Sequence, residues 1–155
     1  MTTGPLALID TNVVVAALVL SHPHHNHSRD LLARLPINGL AVSAHTYAEA
    51  YAVLTRPAPA PFHLTASRAW TMLESLASVT QLIGLTHAQT FFAIRQFAKA
   101  GLLGSMIYDR LIGEAAVLAG LNAIVTWNVR HMAALFPDLN VTDPQGFLAN
   151  RGLTD

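Results

Sequence analysis

The sequence has no cysteine, which rules out disulfide frameworks, thiolate zinc sites and cysteine nucleophiles together. Charge is also scarce. Asp, Glu, Lys and Arg make up 12% of the 155 residues, against 52% hydrophobic residues. A disordered, solvating segment has the opposite balance, so this chain is built to bury a core of ordinary domain size. Nine Lys and Arg offset nine Asp and Glu, leaving a formal net charge of zero. Capture of nucleic acid by a global positive field is therefore excluded, and any such binding must use a local site and a few arginines. The apolar stretch Val13 to Leu20 falls well short of the ~20 residues that a bilayer span needs. It follows Asp10 and has no basic segment before it, so it does not read as a signal peptide, and the expected location is cytoplasmic, away from membranes. The high apolar content implies a covered face as well as a core, as a dimer or a tightly bound partner would provide.

What is present is a regular alternation of short apolar runs and longer helical patterns. Leu6 to Ile9 reads as a strand ending at Asp10, followed by a helix over Val13 to Leu20. His22 to Ser28 breaks the pattern and reads as a loop, and Arg29 to Leu35 as a second helix. Leu40 to Ser43 is a strand, and Thr46 to Leu54 a helix. Ala58 to Pro61 reads as a stiff, proline-spaced segment. Leu64 to Leu76 then forms a helix and Val79 to Leu85 a strand. Thr86 caps a helix with Phe91, Ile94 and Phe97 on one face, which ends at Gly101. Ile107 to Ala119 is a helix, Asn122 to Thr126 a strand, Val129 to Leu135 a short helix and Asn140 to Thr142 a last strand. Asp143-Pro144 opens the final helix. The pattern predicts one α/β domain over residues 1–155, with helices on both faces of a mostly parallel sheet of about five short strands.

Three carboxylates interrupt apolar surroundings at strand ends or helix starts: Asp10, Glu49 and Asp109. Asn128 follows the strand Asn122 to Thr126. Parallel strands point their carboxyl ends to one side, so these four are expected to converge at the crevice where such sheets bind ligands. Converging carboxylates repel one another unless a cation neutralises them. Mg²⁺ suits hard oxygen ligands and keeps several waters, and it can activate water against a phosphodiester. Each residue also has a purely structural reading. Asp10 would cap the following helix, Thr46-x-x-Glu49 would form a capping box, Asp109 would complement the helix dipole, and Asn128 would serve a turn.

Leu8-Ile9-Asp10-Thr11-Asn12-Val13 resembles the opening motif of PIN domains. Thr46-Tyr47-Ala48-Glu49-Ala50-Tyr51 resembles their second motif, Tyr108-Asp109-Arg110-Leu111-Ile112-Gly113-Glu114-Ala115-Ala116 the third, and Ile124-Val125-Thr126-Trp127-Asn128-Val129-Arg130-His131 the fourth. Asp143-Pro144-Gln145-Gly146-Phe147-Leu148 resembles a frequent ending of the family. The motifs occur in order across essentially the whole chain, and the small size is most similar to VapC-type toxins of toxin–antitoxin pairs. The resemblance implies a three-layer α/β/α sandwich and an endoribonuclease needing Mg²⁺ or Mn²⁺. It also implies a homodimer, a small antitoxin covering the site, and a structured RNA cut at a single-stranded loop. Asn128 departs from the Asp often found at the fourth position, which makes the site less negative and puts a two-metal arrangement in doubt.

On this reading Asp10 and Asp109 are the metal ligands, Glu49 polarises the attacking water, and Asn128 positions that water or the phosphate. Thr11, Asn12 and Thr126 are expected to fix the carboxylates by hydrogen bonds. Arg110 and Arg130 flank the acids and are candidate phosphate contacts, or else ordinary helix-surface residues. Glu114, five residues beyond Asp109, turns away from its face of the helix. His22, His24, His25 and His27 are a weak transition-metal pattern without a distant ligand. Trp70 and Trp127 fit core or dimer packing better than base stacking. The rival readings are a catalytically silent interaction module on the same fold, a metal-dependent nuclease acting on DNA, and a haloacid-dehalogenase-type phosphatase. The phosphatase would need a second Asp where Asn12 stands.

Overall fold

The computed structural model describes residues 4–154 and contains a five-stranded, all-parallel sheet with helices on both faces. The strands are β1 (Ala7–Ile9), β2 (Leu40–Ser43), β3 (Gln81–Ile83), β4 (Ala123–Val125) and β5 (Asn140–Thr142), in the spatial order β3-β2-β1-β4-β5. The helices are α1 (Thr11–Leu18), α2 (His25–Arg34), α3 (Ala44–Leu54), α4 (Ala66–Ala77), α5 (His87–Lys99), α6 (Met106–Leu118), α7 (Val129–Leu135) and α8 (Pro144–Ala149). The expected α/β class and three-layer arrangement are observed. Among the described residues no helix is long and apolar enough to cross a membrane.

Strand periodicity divides the core. Ala7 and Ile9 of β1 and Ala123 and Val125 of β4 face a layer with Val13, Leu31, Leu54, Leu73 and Phe147. Leu8 and Ile124, one residue out of phase, face a second layer with Ile112, Met132, Leu135 and Phe136. Leu8, Ile9 and Ile124 are fully enclosed, so the central strands read as continuous apolar runs instead of alternating ones. Each such side chain contributes roughly 2 kcal/mol by leaving water.

Several local expectations change. The histidine segment is only partly loop, because α2 starts at His25 and packs Ser28 and Leu31, one turn apart, into the interior. Ser28 takes a hydrogen bond from the Trp127 indole N–H at 2.9 Å, which explains a buried serine there. Residues 58–60 turn instead of extending, with the Ala60 amide donating to the Pro57 carbonyl at 3.2 Å. The capping box at Thr46 and Glu49 does not form: Ser43 caps α3 by accepting from the Thr46 amide, which leaves Glu49 free for another role. The box predicted by Thr86 is present, with Gln89 as its partner. On α5 only Phe97 of the expected face is buried; Phe91 is 75% exposed and Ile94 is 43% exposed. Trp70 also faces solvent.

Candidate active site

The chain begins its sheet in the middle with β1, builds outward through β2 and β3, then returns to add β4 on the other side of β1. The crevice where this order reverses lies beyond the carboxyl ends of β1 and β4, and Asp10 and Thr126 follow those two strands directly. A cleft of about 320 Å³ there is lined by Asp10, Thr11, Asn12, Glu49, Asp109 and Asn128, with His22 and Phe62 along one side.

Asp10 is the most constrained of these residues, at 4% exposure. It caps α1: its Oδ1 accepts from the Thr11 amide at 2.7 Å. Its Oδ2 accepts from the Thr126 hydroxyl at 2.8 Å and, at 3.4 Å, from the Asn12 side-chain amide. Capping and site chemistry therefore coexist in one carboxylate. Burial pushes its pKa up to about 6 against the pull of the Thr126 and Thr11 hydrogen bonds, and Asp109 and Glu49 add repulsion. Burial also raises Asp109, partly offset by His131, and raises Glu49, where His45 works against the rise and Asp109 adds to it. Burial is the main cause of all three shifts, and the neighbouring carboxylates add repulsion at Asp10 and Glu49 that a cation would relieve.

Neighbours also hold Glu49 and Asn128 in place. Glu49 sits in the second turn of α3, and its Oε1 lies 2.9 Å from Nε2 of His45, one turn earlier. The His45 ring in turn stacks on Tyr108, with centroids 5.3 Å apart. Asp109 occupies the first turn of α6. Asn128 precedes α7 and shares a 2.8 Å hydrogen bond between its Oδ1 and His131 Nδ1. Thr126 is the hub, since its Oγ1 also accepts from the Asn128 amide at 3.0 Å and the Asn12 side-chain amide at 3.1 Å. Asn12 completes the network by accepting from the Trp127 amide at 3.0 Å. Thr11 contributes its backbone N–H only; its hydroxyl is buried without a partner.

The network makes a testable statement about Thr126. Thr126→Val keeps the shape but removes the donor to Asp10 and the acceptor for two further N–H groups. Buried polar groups left unpaired cost about 1–3 kcal/mol, so an unfolding free energy lowered by that amount is expected, read as a lower urea midpoint with an unchanged slope. An unchanged midpoint would mean that the Thr126 hydroxyl does not organise the site.

Mg²⁺ or Mn²⁺ fits these residues in a particular way. Among the described residues no three His, Cys, Asp or Glu side chains converge tightly enough to form a ready-made ligand set. The donors are hard oxygens, however, and the Thr11 hydroxyl is buried without a hydrogen-bond partner. That combination suits an ion which keeps several of its own waters and takes only one or two carboxylates directly.

The expected arginines lie elsewhere. Arg110 turns from the cleft: its Nε is 3.3 Å from Glu114 Oε2, its guanidinium is 5.1 Å from the centre of the Phe136 ring, and it donates to the Leu135 carbonyl at 3.4 Å. Arg130 is exposed in the first turn of α7, and neither arginine lines the cleft. The four histidines do not gather into a metal site. His25 bonds to the Ala16 carbonyl, His24 stacks on Trp127, and His22 reaches the acidic cleft. Sequence reasoning missed His45, His131, His22 and Phe62 as parts of the site. The spacings of His45 to Glu49 (i, i+4) and Asn128 to His131 (i, i+3) are the signals that would have raised the first two.

Residues 7–133 match the family model described as PIN domain. No curated protein matches the sequence. Among solved structures, the chain is similar to PAE2754 from Pyrobaculum aerophilum (18% identity, TM-score 0.67, 98% of this chain and 100% of that one). It is similar to Mycobacterium tuberculosis VapC20, described as a toxin cleaving the sarcin-ricin loop (16% identity, TM-score 0.66, 83% and 94%). It is also similar to DNA-bound VapBC from Salmonella typhimurium (22% identity, TM-score 0.63, 90% and 98%). At these identities the structural likeness speaks for the fold, and the family match carries the rest. By its sequence over residues 7–133, and with acidic residues brought to the carboxyl ends of a parallel sheet, this chain belongs to the PIN domain family.

Proposed function

We propose that this protein, acting as one domain in the cytoplasm, is a divalent-metal-dependent endoribonuclease and the toxin of a toxin–antitoxin pair. The observation that carries the proposal is the gathering of Asp10, Glu49 and Asp109 in one cleft of a PIN fold, with Asp10 buried and firmly oriented. Mg²⁺ or Mn²⁺, held by Asp10 and Asp109, would supply acidification of a water and neutralisation of charge on the phosphodiester. Glu49 orients and polarises the attacking water, and its contact with His45 keeps the carboxyl turned to that task. Asn128 positions the water or a phosphate oxygen as a neutral hydrogen-bonding group, which favours a single ion over two. Thr126, Asn12 and the Thr11 amide hold Asp10 still, so that little reorganisation is needed during reaction. Arg110 and Arg130 remain phosphate contacts only if substrate binding draws them over from their present positions.

Structural neighbours described as VapBC and toxin–antitoxin complexes support an antitoxin partner for this chain. The exposed Phe91, Phe92 and Leu103 support a protein-covered surface and, with it, a homodimer. The silent-module reading draws on Asn128, whose carbonyl is occupied by His131.

Purified protein incubated with total RNA is the deciding assay, run with Mg²⁺, with Mn²⁺ and with chelator beside an Asp109→Asn control. Discrete fragments that require metal and vanish in the control are the expected result. Absence of cleavage together with absence of metal binding would establish the silent module instead, and cleavage confined to DNA would reassign the substrate.

A further inference from the structure

One wall of the acidic cleft has no part in the chemistry above. It is made by His22 and Phe62, whose ring centroids lie 6.0 Å apart with planes inclined by 32°. His22 also neighbours His24 at 5.8 Å, and His24 lies nearly flat against Trp127 at 3.9 Å and 11°. Rings from three separate segments (the loop after α1, the approach to α4 and the turn after β4) thus form a run of π surface that starts beside the carboxylates.

The orientation of His22 is set by its own backbone neighbourhood. Its Nδ1 accepts from the His24 amide at 3.1 Å, so a neutral ring carries its proton on Nε2. Burial, followed by His24 and His25, lowers its pKa and favours that neutral form. Phe62 rests its inner side on the core yet stays partly open to the cleft. The pair is too close to admit a base between the rings, since two van der Waals contacts would need about 7 Å. A base would lie on top of them instead. No Lys or Arg lines the cleft, so cationic side chains do not supply affinity there. Stacking would, because every base has a π face and the interaction needs no net charge.

We propose that Phe62 and His22 form a ledge on which an unpaired nucleobase stacks beside the phosphodiester held at the acids, which makes these two rings the residues that read the base in the cleft. Bases inside a duplex are stacked on one another and cannot offer their faces. The inference rests on the nuclease reading for the phosphodiester; the ledge itself rests on the rings.

The test uses the full chain carrying Asp109→Asn to stop turnover, with His22→Ala or Phe62→Leu added; leucine keeps the apolar packing and removes the ring. Labelled short oligoribonucleotides, their deoxy counterparts and the same strands in duplex form are the probes. Each ring variant is expected to weaken single-strand binding roughly five- to hundredfold, with little change for duplexes. Stepping an abasic site along the strand should reveal one position that loses the same factor in the parent and almost nothing more in the ring variants. Folded ring variants that bind single strands as the parent does would overturn the ledge, as would an abasic loss indifferent to the rings or a parent that ignores single strands. The two readings separate cleanly. Metal-dependent cleavage with ring variants that bind normally removes the ledge and keeps the nuclease; absent cleavage with ring-dependent binding does the reverse. Equal losses in the ribo and deoxy series fit recognition through the base, and a loss confined to RNA adds the sugar.

Discussion

Asp10→Asn is expected to yield a protein that is more stable than the parent at neutral pH without metal, yet nearly inactive as a nuclease. Burial pushes the folded carboxyl up to about 6, against 3.8 for a solvated aspartate. Because the folded pKa is raised, the folded state holds its proton where the unfolded state has already lost it. The resulting penalty is absent below the unfolded pKa, grows between the two values and is complete above about 6. A gap of that size corresponds to on the order of 3 kcal/mol. Asparagine removes the charge and keeps an oxygen for the Thr11 amide. Its new NH₂ group faces both the Thr126 hydroxyl and the Asn12 amide, which donate to this oxygen in the parent, so a net gain of about 1 kcal/mol is the sensible expectation. Melting of both proteins from mildly acid to neutral pH checks this. Their difference should be small near the unfolded pKa and widen toward neutrality, while cleavage falls roughly a hundredfold or more. A variant no more stable than the parent at neutral pH would show that Asp10 is not under electrostatic strain.

The second large effect lies away from the acids. Gly113 is fully inside α6, and a Cβ built there would overlap the ring of Phe136, which is itself 6% exposed and flanked by Arg110. Helix propensity favours alanine over glycine by about 1 kcal/mol, so the sign of Gly113→Ala is decided by whether Phe136 can yield. It is enclosed by Ile112, Met132 and Leu135, and overpacking such a site costs about 1–3 kcal/mol. Gly113→Ala should therefore be destabilised by roughly 1–2 kcal/mol, and Gly113→Val by more than about 3 kcal/mol. Asp109 lies one turn earlier on the same face, so the displaced helix carries a proposed metal ligand with it. Combining Gly113→Ala with Phe136→Leu should recover much of the loss, a coupling that urea unfolding of the four proteins measures directly. Additive losses would mean that the two residues do not press on one another.

Much of the fold was readable because the central strands advertise themselves. Leu8-Ile9, Ala41-Val42 and Ile124-Val125 are short apolar runs, each stopped by a polar residue that turns into the next element. Asp10, Glu49, Asp109 and Asn128 were readable for a related reason: polar groups at strand ends and helix starts stand out against a chain with so little charge. The start of α2 was not readable. Its first turn is His25-Asn26-His27, which has no apolar periodicity, and the burial of Ser28 depends on an indole contributed ninety-nine residues later. The approach of His22 and Phe62 to the acids was hidden for the same reason, since their meeting is set by tertiary packing and not by local spacing. Arg110 and Glu114 stand four apart, and that spacing was the available sign that this arginine had a partner on its own helix.

Calorimetric titration of Mn²⁺ into the metal-free protein, beside Asp10→Asn and Asp109→Asn, tests the account most directly. It should be run at neutral and at acid pH, each in two buffers of different ionisation enthalpy. Binding to the parent that weakens at acid pH, where the raised carboxyls take up protons, and is lost in both variants is the predicted result. Equal binding by the parent and both variants, or none by the parent, would contradict the claim that Asp10 and Asp109 hold a catalytic ion.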